Sequence, residues 1–344
     1  MFNRVLTRRG FMQAGTGAAL LLTLPERSVG AAQGTPVAAG AQGVQPDGTW
    51  MFTDDRGLTV TLPTLPTRII SSIEAGSALK DYGIDVLGVV STIVDGAGNR
   101  LPEAGDLDET TLAYLGEWDS FDLEAALALD AELYVDVTFY PEDLTMLYNV
   151  SDDAVPLLEA AVGTIAIATG GGVSVEHPLA RFRELAAALG ADVNAAEITA
   201  DVAAFEAAKE TARTTFAEKS DVSAAFIYAS PDEFTFYDPD KFADTIFYQE
   251  LGLNALPITA TDGYTEPLSL EQLQKHSFDA FFQLLPNGEP PGFGLDAIPT
   301  IDALPSVPAG QVYRWQRNYA PSYRQFLPIF EAFVADMASA EKVT

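Results

Sequence analysis

A two-lobed α/β architecture, its similar halves joined by one long rigid helix with a ligand cleft between them, is predicted by three features of the sequence. Short apolar runs alternate with helical segments from residue 51 onward, the pattern of a mostly parallel sheet. Asp81-Tyr82-Gly83-Ile84-Asp85-Val86-Leu87-Gly88-Val89 is matched by Glu250-Leu251-Gly252-Leu253-Asn254-Ala255-Leu256-Pro257-Ile258, and Leu123-Glu124 is matched downstream by Leu270-Glu271. Matched fragments in one order mark a duplicated unit. Residues 195–219 are free of Gly and Pro and rich in Ala, Glu and Lys, which favours a helix of roughly 36 Å.

The elements follow in order. Thr7-Arg8-Arg9-Gly10-Phe11-Met12, an apolar run to Leu24 and the small residues Val29-Gly30-Ala31-Ala32 have the charged, greasy, cleavable layout of an export signal over residues 1–31, of the twin-arginine type. The greasy run is shorter than the ~20 residues of a membrane span. Residues 32–50, rich in Gly, Ala, Pro and Gln, read as a flexible leader. The first lobe covers 51–194. It opens on an edge strand at Thr59–Leu62 and a buried strand at Arg68–Ser71, followed by a helix that Gly83 closes as a C-cap. Strands follow at Val86–Val90, Leu133–Val137 and Val162–Ala168, with a helix from Asp122 or Ser120 to Leu129. In the linking helix, Ile198, Val202, Phe205 and Ala208 form one apolar stripe. The second lobe, 220–344, repeats the order with strands at Ala225–Ala229, after Asn254 and around Phe281.

Composition excludes much. The chain has 344 residues, 19 basic and 49 acidic, for a net charge of -30, so phosphate-rich nucleic acid is not a partner. Loss of the signal would leave 15 basic against 48 acidic residues, or -33. That excess suggests adaptation to salt or acid. Cysteine is absent, which removes disulfides, thiolate metal sites and a lipid-modified N-terminal Cys. Two histidines are too few for a three-His zinc site. Enzyme patterns fail as well. Ser77-Ala78-Leu79-Lys80 lies mid-helix without its partner motifs, and Gly170-Gly171-Gly172 lacks the Lys of a phosphate loop. His177 and His276 are expected at helix ends, not in catalysis.

Phe52-Thr53-Asp54-Asp55-Arg56-Gly57-Leu58-Thr59-Val60-Thr61-Leu62-Pro63 and Pro66-Thr67-Arg68-Ile69-Ile70 resemble the opening of ABC-importer substrate-binding proteins of the helical-backbone periplasmic class. The matched fragments above, Asp122-Leu123-Glu124 and Ala309-Gly310-Gln311-Val312-Tyr313 extend the resemblance over about Phe52 to Val334. Members serve ferric siderophores, cobalamin and haem. The resemblance implies two Rossmann-like lobes, capture of a ferric siderophore outside the cytoplasm, and delivery to a permease and ATPase by a monomer. It implies no cofactor of the protein's own, the metal being held by the chelator. Cobalamin or haem, or a non-transport extracellular interaction role on the same fold, are the alternatives.

In open α/β sheets ligands sit beyond the carboxyl ends of the strands, which selects the candidate contacts. Arg314, Trp315, Arg317 and Tyr319 stand with Arg324 in a chain whose mature part has nine arginines. Arginine forks suit carboxylate, hydroxamate or catecholate oxygens, and aromatic rings can stack on a chelate. The competing reading is that Trp315 and Tyr313 are core and that Arg317 and Arg324 pair with surface carboxylates. Trp118, Tyr140, Phe234 and Tyr237 are further aromatic candidates, and Arg100 is the one base of its loop. Glu124 and Glu271 sit in first helical turns, where the dipole stabilises carboxylates. The resemblance implies that they also dock on the two permease subunits.

Overall fold

The computed structural model describes residues 42–344. The export segment expected at 1–31 lies outside the described residues, as does most of the leader. The leader expected to reach residue 50 ends earlier. Gly43–Val44 (β1) pairs with Trp50–Thr53 (β2), and β2 with Thr59–Leu62 (β3), all antiparallel. Trp50 is fully buried and its indole N–H donates to the Ala188 carbonyl at 2.7 Å. Burying so large a ring with its N–H satisfied pulls the preceding residues into order, which their Gly-rich composition conceals.

The first lobe is built from Ile69–Ser72 (β4), Ile73–Asp81 (α1), Gly88–Val90 (β5), Ala113–Tyr114 (β6), Leu123–Ala128 (α2), Leu133–Thr138 (β7), Val155–Glu159 (α3), Gly163–Ala168 (β8) and Glu176–Ala188 (α4). Its sheet runs β6-β5-β4-β7-β8 with every pair parallel. Ser72 caps α1 by accepting from Ala75 N at 3.3 Å, and Asp122 caps α2 by accepting from Ala125 N at 2.9 Å.

Ala196–Glu218 (α5) leads to the second lobe: Ala224–Ala229 (β9), Phe234–Tyr237 (β10), Ala243–Glu250 (α6), Thr265–Leu268 (β11), Ala280–Leu284 (β12), Val312–Trp315 (β13) and Tyr323–Ser339 (α7). Its sheet order, β11-β10-β9-β12-β13, mirrors the first. The repeat is visible in single hydrogen bonds. Leu87 N donates to Ile69 O at 2.7 Å, and Leu256 N, its counterpart in the matched fragment, donates to Ala224 O at 2.8 Å. There the likeness stops. The strand expected after Asn254 is reduced to one parallel bridge, Ala224 to Ala255. The antiparallel strands β10 and β11 take that edge instead, and the helix expected at Leu270-Glu271 is a 3-10 turn over Leu270–Lys275.

The linking helix α5 enters two cores. Ile198 packs with Phe182, Leu185 and Leu189 of the first lobe. Phe205, Ala208, Ala212 and Phe216 pack with Phe247, Phe330 and Phe333 of the second. Its 23 residues span about 34 Å. Helix α4 shares the task, with its N-cap Val175 and Leu179 in the second core and Phe182 and Leu185 in the first. Helix α7 lies along α5, with Phe326, Phe330, Phe333, Val334 and Met337 buried at helical spacing.

The β2–β3 hairpin is pinned to β8 by a buried ion pair. Arg56 Nε meets Asp54 Oδ2 at 2.8 Å, with both side chains fully buried. Asp54 also accepts from the Leu58 and Ala166 amides, and Arg56 reaches Glu159 at 3.0 Å. Burial still pushes the Asp54 carboxyl up, against the pull of Arg56. Removing one partner strands the other in a dry site. Arg56→Met is therefore expected to lower stability by about 3–5 kcal/mol, read as a drop in the urea midpoint. A change within error would show that the pair contributes nothing.

Candidate functional site

The parallel strands of both lobes end at one cleft. From the first lobe it is lined by Glu74 at the start of α1, Glu103, Val137, Phe139 just past β7, Tyr148 and Thr169 just past β8. The second lobe contributes Phe242, Ala243 and Asp244 at the start of α6, Leu284 at the end of β12, and Arg317, Asn318, Tyr319 and Pro321 beyond β13. The cavity at its centre measures about 140 Å³ and opens to solvent.

An aromatic seam forms the floor between the lobes. Phe139 lies 6.3 Å from Phe242, 5.7 Å from Tyr148 and 6.5 Å from Tyr264, centroid to centroid. Arg317 sits on this seam, its guanidinium carbon 4.6 Å from the Phe242 centroid and 5.6 Å from that of Phe139. It makes no ion pair among the described residues, and its guanidinium is held by ring faces. The triple glycine that fails as a phosphate loop has its role here. A Cβ on Gly170 would stand 2.5 Å from the Phe139 ring, and one on Gly171, at φ +72°, would stand 2.7 Å from Pro141. No larger residue fits behind the ring.

Polar groups set the walls. Asn149 donates from Nδ2 to Asp136 at 2.8 Å and to Glu74 at 3.3 Å, joining a cleft carboxylate to a buried one. Asp136 also accepts from the Asn149 and Val137 amides, and burial raises its carboxyl. Opposite, the Trp315 indole N–H donates to Asp244 Oδ2 at 2.7 Å. Burial pushes the Asp244 carboxyl up to about 6, while Trp315 and the Arg317 charge pull it down. The Tyr319 hydroxyl is raised by burial and by the charge of Asp244.

Of the residues singled out in the sequence, Arg317 and Tyr319 line the cleft. Trp315 stands one layer behind, 2 % exposed, holding Asp244. Tyr237 is behind it too, tilted against Phe242 at 5.4 Å and edge-on to Trp315 at 5.0 Å. The others lie elsewhere. Side chains alternate along a strand, so Arg314 points away from Trp315, and its guanidinium donates to the Glu289 carbonyl. The same alternation puts Phe234 in the outer core with Phe236 and Phe281, while Tyr237 faces inward. Arg100 spends its guanidinium on the carbonyls of Ala104, Gly105 and Leu107. Trp118 is half-buried in the turn between Gly116 and Ser120. Tyr140 packs edge-on against Tyr264 at 6.0 Å, next to the seam but outside the lining. Arg324 pairs with Asp201 at 3.0 Å, as the competing reading had it. Glu124 and Glu271 are exposed. Glu103, Tyr148, Thr169, Phe242 and Asp244 escaped sequence reasoning. Asp244 carried one signal, an acid in the first turn of a helix.

The lobes also touch at the rim. Asn287 Nδ2 donates to the Arg100 carbonyl at 2.8 Å, Gln325 Nε2 donates to Asp81 at 3.3 Å, and Val175 N donates to Ala243 O at 3.0 Å.

Two outcomes follow from this geometry. Asp244 binds its proton more tightly in the folded chain, so its ionisation costs stability as pH rises from about 4 to about 6. Asp244→Asn is expected to flatten that part of the stability–pH curve by roughly 3 kcal/mol, measured by denaturant unfolding at several pH values; an unchanged slope would refute the assignment. Gly170→Ala should displace Phe139 and cost about 1–3 kcal/mol, measured by thermal unfolding, and an unaltered midpoint would show that the ring has room to spare.

No family model matches the chain, and no curated protein does. Solved structures do match. The ferric-siderophore receptor protein DesE from Streptomyces coelicolor superposes with a TM-score of 0.76 at 29% identity, covering 86% of this chain and all 100% of that one. The siderophore periplasmic binding protein from the fuscachelin gene cluster of Thermobifida fusca gives 0.59 at 18%, covering 79% and 96%. The Desferal-bound siderophore binding protein FhuD from Vibrio cholerae gives 0.55 at 16%, covering 79% and 98%. The last two share the fold; DesE adds sequence likeness over its whole length. With paired lobes, a helix rooted in both cores and a cleft at the strand ends, the chain has the two-lobed fold of these siderophore-binding proteins and resembles DesE in sequence as well.

Proposed function

We propose that this protein captures a ferric siderophore in the interlobe cleft, outside the cytoplasm, and delivers it to an ABC importer. The observation that carries the reading is the cleft itself, an aromatic floor with one open arginine, in a chain that is 29% identical to DesE over that receptor's full length. The rings offer flat apolar contact to the organic shell of a chelate, and Arg317 offers forked donors to its oxygens. Iron enters as part of the cargo, held by the chelator. Helices α4 and α5, rooted in both cores, permit only a small change in lobe angle, so the cleft is largely preformed.

Export by the twin-arginine route rests on Arg8-Arg9 and the apolar run behind them. Docking on the permease rests on Glu124 and Glu271. Both are exposed in the first turn of the segment leading into β7 and β12, and each of those strands lies next to its lobe's first strand. Such contacts would set docking register and encounter rate more than affinity. The protein would act as a monomer, with a permease and an ATPase as partners.

Intrinsic fluorescence tests the capture step, because Trp315 is bonded to a cleft carboxylate. Titration with a panel of ferric chelates, cobalamin and haemin should give saturable quenching by at least one ferric chelate. Arg317→Ala should weaken that binding by about tenfold or more. Binding of cobalamin or haemin alone, or of none of the panel, would overturn the proposal.

A further inference from the structure

One loop of the first lobe is held by the second lobe at two places. Residues 94–108 follow β5 and begin as a hairpin, with a bridge between Val94 and Arg100. Asp95 closes the tip by accepting from the Ala97 and Asn99 amides, each at 2.9 Å. A 3-10 turn over Pro102–Ala104 follows and brings Glu103 to the cleft lining. Leu101, Ala104 and Leu107 root the loop in the first core. Arg100 braces it from within, its guanidinium donating to the Gly105, Ala104 and Leu107 carbonyls. Ahead of Glu103, Asn287 of the loop after β12 donates to the Arg100 carbonyl at 2.8 Å and also bonds the Asp95 carboxyl. Beside it, a Cβ on Gly288 would lie 3.4 Å from Asn99 Nδ2. Beyond Glu103, Gln325 of α7 donates to Asp106 at 3.4 Å and to Asp81 at 3.3 Å, and the Ser322 hydroxyl donates to Asp81. Gly105 permits this approach, since a Cβ there would collide with Ser77 Oγ and stand 3.1 Å from Gln325 Cδ.

From this arrangement we propose that residues 94–108 are a latch on one side of the cleft, rooted in the first lobe and fastened to the second by Asn287 and Gln325, and that the latch parts from the second lobe for ligand to pass. Arg100, Asn287 and Gln325 are then positioning residues, and the lining residue Glu103 sits between the two fasteners. Helices α4 and α5 hold the lobes by large buried side chains. The latch holds by side-chain amides near the surface, bonds of modest net strength, so a small change in lobe angle is taken up there first. Arg100 keeps the latch in one piece as it parts, because its three acceptors all lie within the loop. A contact made in both the empty and the loaded protein, and broken only between them, adds to the barrier and leaves the equilibrium alone.

The part that concerns ligand rests on siderophore capture being the function, and the test separates the two. Hydrogen exchange on the intact protein without ligand reads the latch itself. Asn287→Ala combined with Gln325→Ala should speed exchange of the amides at 94–100 by about tenfold or more, while β7 and β9 exchange as before. Gln325→Glu keeps the length of the side chain but sets a third carboxylate against Asp81 and Asp106, so it should act like Gln325→Ala; a side chain needed only for bulk would tolerate it. Stopped-flow quenching with ferric desferrioxamine B, ferrichrome and ferric enterobactin reads passage. For whichever chelate binds, association and dissociation should both quicken several-fold in the double variant, with the dissociation constant changed less than about threefold. If the double variant does not fold, the single substitutions are read in the same way. Unchanged exchange at 94–100, or weaker binding with unchanged association, would overturn the inference and leave siderophore capture standing. Faster exchange at 94–100 with no binding of any of the three chelates would uphold the latch and overturn siderophore capture.

Discussion

The structure depends on two helices that belong to two cores at once. Helix α5 gives Ile198 to one lobe and Phe205, Ala208, Ala212 and Phe216 to the other. Helix α4 is divided the same way between Val175 and Leu179 on one side and Phe182 and Leu185 on the other. Wide opening of the lobes would expose one set or the other, and each large buried side chain is worth about 1.5–3 kcal/mol. The lobes are therefore held near one spacing, and the cleft between them exists before any ligand arrives. The Phe139–Phe242 contact and the Asn287 to Arg100 bond only trim a geometry that the helices impose.

A chain this acidic must place its few cations with care. Most are consumed in holding elements together. Arg56 closes on Asp54, Arg181 reaches Asp55 at 2.6 Å beside His177 at 2.8 Å, and Lys275 and His276 clamp Glu266. Asp279 gathers the amides of Ser223, Val343 and Thr344 and so ties down the last residues. Asp55, Glu266 and Asp279 are thereby held below the usual carboxylate range despite burial. They contribute stability that is present at neutral pH and lost as pH falls through their lowered values. Asp54, Asp136 and Asp244 are raised by burial and act in the opposite sense. Arg317 stands apart from this economy of cations. Its contacts are ring faces, those of Phe139 and Phe242 at the junction of the two lobes.

The cleft assembles from segments far apart in the chain: the start of α1, the ends of β7 and β8, the start of α6 and the loop beyond β13. Each lobe supplies half, and neither half is a site alone. The glycines behind Phe139 and the Asn149 bridge between Asp136 and Glu74 orient those halves without touching a ligand themselves. Arg314 and Phe234 show the limit of local composition, because one step along a strand turns a side chain to the other face of the sheet.

Much of the fold was legible because it is written in local patterns. Apolar runs, the αL glycine at Gly83, the Asp122 cap, the Gly-free and Pro-free stretch of α5 and the duplicated fragment ending at Leu87 and Leu256 are all short-range signals, and the structure realises each of them. The replacement of the expected strand by the β10–β11 edge was hidden, since pairing partners are chosen by contacts distant in sequence. So was the fate of the charges. The sequence by itself determined two α/β lobes, a long helix between them and a large excess of carboxylate. Only the tertiary structure decided which arginine faces the cleft, which carboxylates meet it there and which rings form its floor, because facing is set by strand phase and by packing between residues that the chain keeps far apart.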